Sequence, residues 1–155
     1  MRSIFYTVIV MALVACGTKQ SVSKSTSNTE LSDGKYPQIL ANEYAFLIKK
    51  TTTDKTYGYD PNNAIKVGGA SAGEGPTNER RFLNALAGPN GEGLNYSREG
   101  SCCPQPSKNA TFGDYAMLDN YKIWFEGRTD TLNLFINMYD SEELFIPVGF
   151  SKREF

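Results

Sequence analysis

The first constraint on the fold of this chain is a short apolar run close to its start, over residues 4–14, preceded by the basic residue Arg2. A helix needs about 20 apolar residues to cross the bilayer core, so this run is too short to span a membrane. A basic start, a short apolar segment and small residues behind it are typical of a secretory signal that is removed after export. The sequence therefore predicts a signal peptide over residues 1–15.

The residue after this run is a cysteine, Cys16, which follows Leu13, Val14 and Ala15. This pattern resembles the lipobox of bacterial lipoproteins. The resemblance implies cleavage before Cys16, diacylglycerol on its sulfur and an acyl chain such as palmitate on its amino group. Two or three acyl chains hold a protein stably at a membrane, because each buried methylene contributes about 0.8 kcal/mol. The alternative is an ordinary secretory signal, or an uncleaved anchor, with an incidental cysteine.

A polar segment separates Cys16 from the rest of the chain. Residues 17–35 are rich in Ser, Thr, Asn and Lys, which predicts a flexible tether with a typical end-to-end distance of roughly 25 Å. No acidic run of the kind that resembles an export signal to the outer cell surface follows Cys16. We therefore predict a lipid-anchored protein of the bacterial cell envelope, in the outer membrane and facing the periplasm.

Composition excludes several functions. The chain has 16 basic and 17 acidic residues, and the basic residues are scattered. Clustered Lys and Arg supply most of the affinity for nucleic acid, so we expect no nucleic-acid partner. Histidine is absent, which excludes a Ser-His-Asp or Cys-His catalytic site and an imidazole-based metal site. The sequence provides no catalytic residue, cofactor site or metal site that we can assign.

Apolar alternation predicts two long strands, over residues 117–126 and 132–139, joined by a hairpin turn. The first strand has Tyr121, Ile123 and Phe125 on one face. Shorter extended segments are expected at residues 44–50, 64–67, 94–98 and 144–150, with a polar loop over residues 105–114.

The strongest helical pattern covers residues 78–87, with Phe82 and Leu83 on one side. Thr77 or Asn78 is the expected N-cap, and a Gly-Pro pair after residue 87 is a stop signal. A helix followed by antiparallel strands predicts an α+β fold, in which one short helix packs on a mainly antiparallel sheet. We expect a single small domain over residues 36–155.

The adjacent cysteines Cys102 and Cys103 leave several alternatives open. A disulfide between neighbours joins Cα atoms about 3.8 Å apart, below the usual minimum of about 4.4 Å, so it would be strained and easily reduced. The pair could form such a bridge and act as a redox pair, or link two chains. The thiols could also pack on opposite faces of an extended segment or bind a soft metal, although two thiolates alone are an incomplete site. Met117 and Met138 are interpreted as core residues.

A glycine-rich stretch before the predicted helix suggests a weak anion site. Backbone amides of Gly68 and Gly69, together with Arg80 and Arg81, could bind a phosphate or carboxylate. The stretch matches neither of the known phosphate-binding glycine motifs, and nearby Glu74 opposes an anion.

Several segments together resemble a family of small envelope lipoproteins from flavobacteria-like bacteria. They are residues 57–61, 66–69, 78–86, 88–92, 100–103, 118–121 and 147–150. Members of that family often carry the label 2-dehydro-3-deoxyphosphooctonate aldolase, which implies a lyase activity. No aldolase motif is present here onto which a catalytic residue could be transferred.

These observations favour a lipoprotein anchored to the membrane through its acyl chains, with a small binding or structural domain and no identifiable catalytic site. Its expected partner is an envelope protein or a glycan. The alternative is an enzyme, either the aldolase that the family label implies or a thiol redox protein that uses Cys102 and Cys103.

Overall fold

The computed structural model describes residues 36–155 and the two-residue strand Glu30–Leu31. The predicted signal peptide, Cys16 and most of the predicted tether lie outside the described residues. Strand β1, Glu30–Leu31, pairs with β2, Gln38–Asn42, which in turn pairs with β3, Ala45–Phe46. Within the described residues, no helix is both long enough and apolar enough to cross a membrane.

A four-stranded sheet forms the centre of the domain. Its strands lie in the order β5 (Ile65–Lys66), β9 (Leu132–Asn137), β8 (Tyr115–Phe125) and β7 (Leu94–Pro106). The alternating apolar pattern placed β8 and β9 correctly, and their antiparallel pairing confirms the predicted hairpin. Strand β7 continues to Pro106, further than expected, because it pairs with β8 along most of that strand's length.

Three short ladders accompany the central sheet. They are the antiparallel group β1–β2–β3, the parallel pair β4 (Lys50–Thr51) with β10 (Phe145–Ile146), and the antiparallel pair β6 (Leu86–Ala87) with β11 (Ser151–Lys152). In the central sheet β5 runs parallel to β9, with Ile65 opposite Ile136. The α+β class is therefore right, but the sheets are more mixed than the expected antiparallel arrangement.

The helix α1 covers Gly75–Asn84, three residues earlier than predicted at both ends. The predicted cap at Thr77 or Asn78 is wrong, since Glu74 precedes the helix and Pro76 occupies its first turn. Proline suits that position because its fixed φ is helical and its missing N–H has no partner there anyway. The predicted last turn instead forms strand β6, which pairs with β11.

One apolar core lies between α1 and one face of the sheet, which we call the inner face. Phe82 and Leu83 of α1 join the core formed by Tyr121, Ile123 and Phe125, as the helical and strand periodicities predicted. The core also holds Leu134 and Ile136 of β9, together with buried residues of β3, β5 and β10. The helix and the sheet thus form a single small domain.

Candidate functional site

The other face of the sheet, the outer face, carries Trp124. In β8 the inward side chains alternate with Lys122 and Trp124, which point away from the core. Asn95 lies opposite Trp124 in the ladder and Ser97 lies opposite Lys122. Trp124 is half-buried and Lys122 is exposed, so a large aromatic side chain stands among polar neighbours on an open surface.

A cavity of about 410 Å³ lies beside Trp124 on this face. Apart from Trp124 its lining is polar: Ser97, Glu99, Lys122, Arg128, Thr129 and Thr131. The guanidinium of Arg128 donates to the carboxylate of Asp130, with Nε 3.1 Å from Oδ1. We call these seven lining residues the Trp124 surface.

The Trp124 surface combines an aromatic face with hydroxyl, carboxylate and cationic groups. Ligand sites commonly pair one aromatic or apolar wall with a few polar groups that orient the ligand. The sequence analysis missed Trp124 as a site residue. The signal was nevertheless present, because a strand with Tyr121, Ile123 and Phe125 facing inward must place Trp124 outward.

The inner face holds a buried acidic pair, Glu79 from α1 and Asp119 from β8. The side chain of Glu79 is 0% exposed and that of Asp119 is nearly as inaccessible. Arg98 of β7 clamps Asp119, with its Nε 2.5 Å from Oδ2 and a second guanidinium nitrogen 2.8 Å from Oδ1. The Ser101 hydroxyl also donates to Asp119 at 2.9 Å. Bidentate Arg–carboxylate pairs are among the strongest hydrogen-bonded pairs in proteins.

Only one of the two carboxylate oxygens of Glu79 has a hydrogen-bond partner. The Tyr121 hydroxyl donates to Oε2 of Glu79 at 2.8 Å, while Oε1 is buried without a hydrogen-bond partner. Burial, and next the negative charge of Asp119, raise the pKa of Glu79 to about 8. A proton on Glu79 would be donated to Asp119, which removes both the charge repulsion and the unsatisfied oxygen.

The acidic pair connects α1 to the sheet. Burial and then the charge of Glu79 raise the pKa of Tyr121, so its hydroxyl stays a donor at neutral pH. Both carboxyl groups are covered, and neither Glu79 nor Asp119 lines the cavity beside Trp124. The sequence analysis did not identify Glu79 and Asp119 as a pair, because the contacts that bury them join distant parts of the chain.

Cys102 and Cys103 are free thiols, and both are half-buried. The packing of the two thiols on opposite faces of the strand stays a prediction. Burial, and next the neighbouring Cys103, raise the pKa of the Cys102 thiol to about 11. Thiol exchange needs the thiolate, so this environment works against Cys102 as a redox nucleophile at neutral pH.

The residues predicted for anion binding do not all line one cavity. Arg80 and Arg81 line a cavity of about 240 Å³ of which Gly68 and Gly69 are not part. Arg81 is held by Glu74, with 2.7 Å between its terminal nitrogen and the carboxylate Oε2. That ion pair already occupies one of the two cations predicted to bind an anion.

The turn between β7 and β8 carries the most exposed aromatic side chain of the part that the structure describes. Phe112 is 88% exposed. The base of this turn is fixed by Asp140, whose Oδ1 accepts hydrogen bonds of 2.8 Å from the side chains of Ser107 and Asn109. Phe112 is therefore presented by an anchored turn.

Within residues 36–155, no three His, Cys, Asp or Glu side chains come together in an arrangement that could hold a metal ion. No protein-family model, no curated protein and no solved structure matches this chain.

Proposed function

We propose that this protein is a lipoprotein of the bacterial cell envelope, anchored through Cys16, whose domain binds a glycan on the Trp124 surface. The observation that carries the proposal is the position of Trp124, half-buried on the outer face and bordered by polar side chains. The anchor rests on the sequence pattern around Cys16.

A glycan suits the Trp124 surface better than an apolar ligand does. One face of a pyranose ring presents C–H groups, which pack on the electron-rich face of an indole ring. The hydroxyl groups of the sugar then reach Ser97, Thr129 and Thr131, while Glu99 and Lys122 supply charged hydrogen-bond partners. Because the cavity is open, the site can accept an internal stretch of a long chain as well as its end.

The predicted tether would give this site access to its ligand. Strand β1 lies within the range predicted for the tether, so the segment between Cys16 and β1 is what would let the domain turn its outer face towards polymers next to the membrane. The anchor raises the local concentration of the domain, so a shallow site of modest affinity is sufficient for retention.

Binding can be measured directly because Trp124 is the sole tryptophan of the chain. Titration with chitotetraose and with soluble peptidoglycan glycan strands should shift its fluorescence emission. We expect a dissociation constant of about 1 mM or lower. By calorimetry, Trp124→Ala should weaken binding by roughly tenfold or more, which corresponds to about 1.4 kcal/mol.

The matched control is Tyr44→Ala, which removes an aromatic side chain that is 68% exposed and lies outside the Trp124 surface. It should bind these glycans as the unchanged protein does. Unchanged emission with both glycans, or equal binding by Trp124→Ala, would refute the proposed site.

The anchor has a separate test. The mature protein, isolated from membranes, should have the intact mass of a chain that begins at Cys16 and carries a diacylglyceryl group and an acyl chain. Cys16→Ser should release the domain from the membrane fraction. An unmodified Cys16 in the mature protein would overturn the anchor without affecting the glycan site.

A further inference from the structure

The turn between β7 and β8 brings several exposed apolar side chains to one end of the domain. Phe112 in the turn is 88% exposed, and Tyr115, the first residue of β8, is 60% exposed. Pro106 is the ladder partner of Tyr115, so these two side chains share a face, and Pro106 is exposed as well. Single exposed apolar side chains are common on protein surfaces, but a group of them marks an interaction surface.

Met117 extends this group along β8. The expectation that Met117 belongs to the core is wrong: it is 41% exposed. It lies on the same face of β8 as Tyr121, but β8 continues past the end of the core, and Met117 and Tyr115 lie in that continuation. Met138, the other methionine expected in the core, does pack against it. We call Pro106, Phe112, Tyr115 and Met117 the apolar tip.

The turn that carries the apolar tip is held in place from both sides. Asp140 accepts hydrogen bonds of 2.8 Å from the side chains of Ser107 and Asn109 at its base. The backbone N–H of Ser107 also donates to the carbonyl of Asp114 at 2.9 Å, which closes the turn. A side chain presented by a fixed turn loses less conformational entropy when it is buried against a second surface.

The segment that leads from Cys16 enters the domain next to the base of this turn. The backbone N–H of Tyr36 donates to Oγ of Ser141 at 3.0 Å, and the Ser141 hydroxyl donates back to the carbonyl of Tyr36 at 3.1 Å. Ser141 follows Asp140, which holds the turn. The entry of the chain and the base of the turn are therefore fixed to consecutive residues, so an anchor at Cys16 would draw this end of the domain towards the membrane.

We propose that the apolar tip inserts into the headgroup region of the membrane that holds the acyl chains, an inference that rests on the Cys16 anchor proposed above. Aromatic side chains favour this region, because it buries an apolar ring and leaves a polar edge such as the Tyr115 hydroxyl in water. Residues 107–117 include one basic residue, Lys108, and one acidic residue, Asp114, so the contact is apolar and needs no anionic lipid. A few side chains hold a free protein only weakly, but the anchor makes their insertion an intramolecular step.

Insertion of the apolar tip would also set the height of the Trp124 surface. Strand β8 runs from Tyr115 to Phe125, and at about 3.3 Å per residue Trp124 lies up to about 30 Å from Tyr115. The strand would therefore hold the Trp124 surface away from the headgroups, where polymers next to the membrane can reach it.

The test uses the full mature protein in vesicles of phosphatidylcholine whose acyl chains carry bromine, which quenches tryptophan fluorescence at short range. Phe112→Trp combined with Trp124→Phe moves the sole tryptophan to the apolar tip, and the unchanged protein has it at Trp124. The emission of the tip variant should shift to shorter wavelength and lose roughly half of its intensity, because an inserted ring lies about 5–10 Å deep. The emission of the unchanged protein should stay as it is in vesicles without bromine.

Tyr44→Trp combined with Trp124→Phe is the matched control. Tyr44 is 68% exposed and lies beside α1, where its carbonyl accepts a hydrogen bond from Asn84. Its emission should not be quenched, and circular dichroism should show that every variant folds.

Vesicle flotation separates the two proposals. An unquenched tip variant that floats with the vesicles would overturn the insertion and leave the anchor intact. Equal quenching of the tip variant and the Tyr44 variant would also overturn it, since the domain would then have no preferred side. A mature protein that does not float would refute the anchor, and the insertion with it.

Discussion

The two faces of strand β8 meet opposite requirements within one stretch of sequence. On the inner face, Asp119 and Tyr121 are polar groups that the fold buries, and each is hydrogen-bonded to side chains from other elements. On the outer face, Lys122 and Trp124 have few constraints from packing. Polar groups on the inner face are therefore engaged in contacts within the domain, while the side chains of the outer face are open to solvent.

This difference makes the outer face the better candidate for a functional site. A buried carboxylate is costly unless it is paired and hydrogen-bonded, and Asp119 meets this requirement through Arg98 and Ser101. A tryptophan left half-exposed beside a polar cavity has no such explanation.

The largest expected contrast comes from two neighbours on opposite faces. Ile123→Ala removes a side chain that is fully buried and should lower the free energy of unfolding by about 2–5 kcal/mol. Lys122→Ala should change it by no more than about 0.5 kcal/mol, because its side chain is exposed. Urea denaturation measures both. Equal losses for the two variants would mean that the outer face is also covered.

The next largest effect concerns pH. Because Glu79 has a higher pKa in the folded chain, about 8 against 4.5, the folded state binds its proton more tightly. Its contribution to stability is complete below about pH 4.5 and is lost as the pH rises through about 8. Each unit of pKa difference corresponds to about 1.4 kcal/mol. Urea denaturation at several pH values should show this decline.

Glu79→Gln is the control for the pH effect. The amide keeps an acceptor for Tyr121 and a donor for Asp119, but it does not titrate. No histidine titrates in this chain, so the stability of Glu79→Gln should be nearly constant over the same pH range. The same decline in both proteins would show that Glu79 is not the titrating group.

The smallest effect is expected outside both faces, at the turn between β7 and β8. Phe112→Ser should change the free energy of unfolding by less than about 0.5 kcal/mol, because the side chain is almost entirely exposed. The same denaturation series measures it. A loss above about 1 kcal/mol would show that Phe112 is covered in solution.

The parts of the fold that the sequence predicted are those fixed by local pattern. Strands β8 and β9 were predicted because period-two alternation depends only on neighbouring residues. The start of α1 was misplaced although Pro76 is itself a start signal. The parallel pairs β4–β10 and β5–β9 join short segments far apart in the chain, and two residues are too few to carry a pattern.

In the candidate sites too, some features follow from local sequence pattern and others depend on contacts between distant parts of the chain. The outward position of Trp124 follows from alternation, but the hydroxyl groups around its cavity come from a second strand and a turn. The buried state of Glu79 depends on Tyr121 and Asp119, whose approach is set by how α1 crosses the sheet. The bulge at Cys103, between Cys102 and Gln105, was not predicted, because alternation assumes a regular ladder.

The parallel pairing of β5 with β9 also bears on the order in which we expect the domain to fold. Ile65 and Ile136 are neighbours in the sheet, but α1, β7 and β8 lie between them in the chain. Hairpins β7–β8 and β8–β9 close locally, whereas β5 must wait for a long loop to close, and non-local pairing of this kind is slow. Until β5 pairs with it, β9 has one unpaired edge, and an unpaired edge strand in a partly folded chain is prone to aggregation.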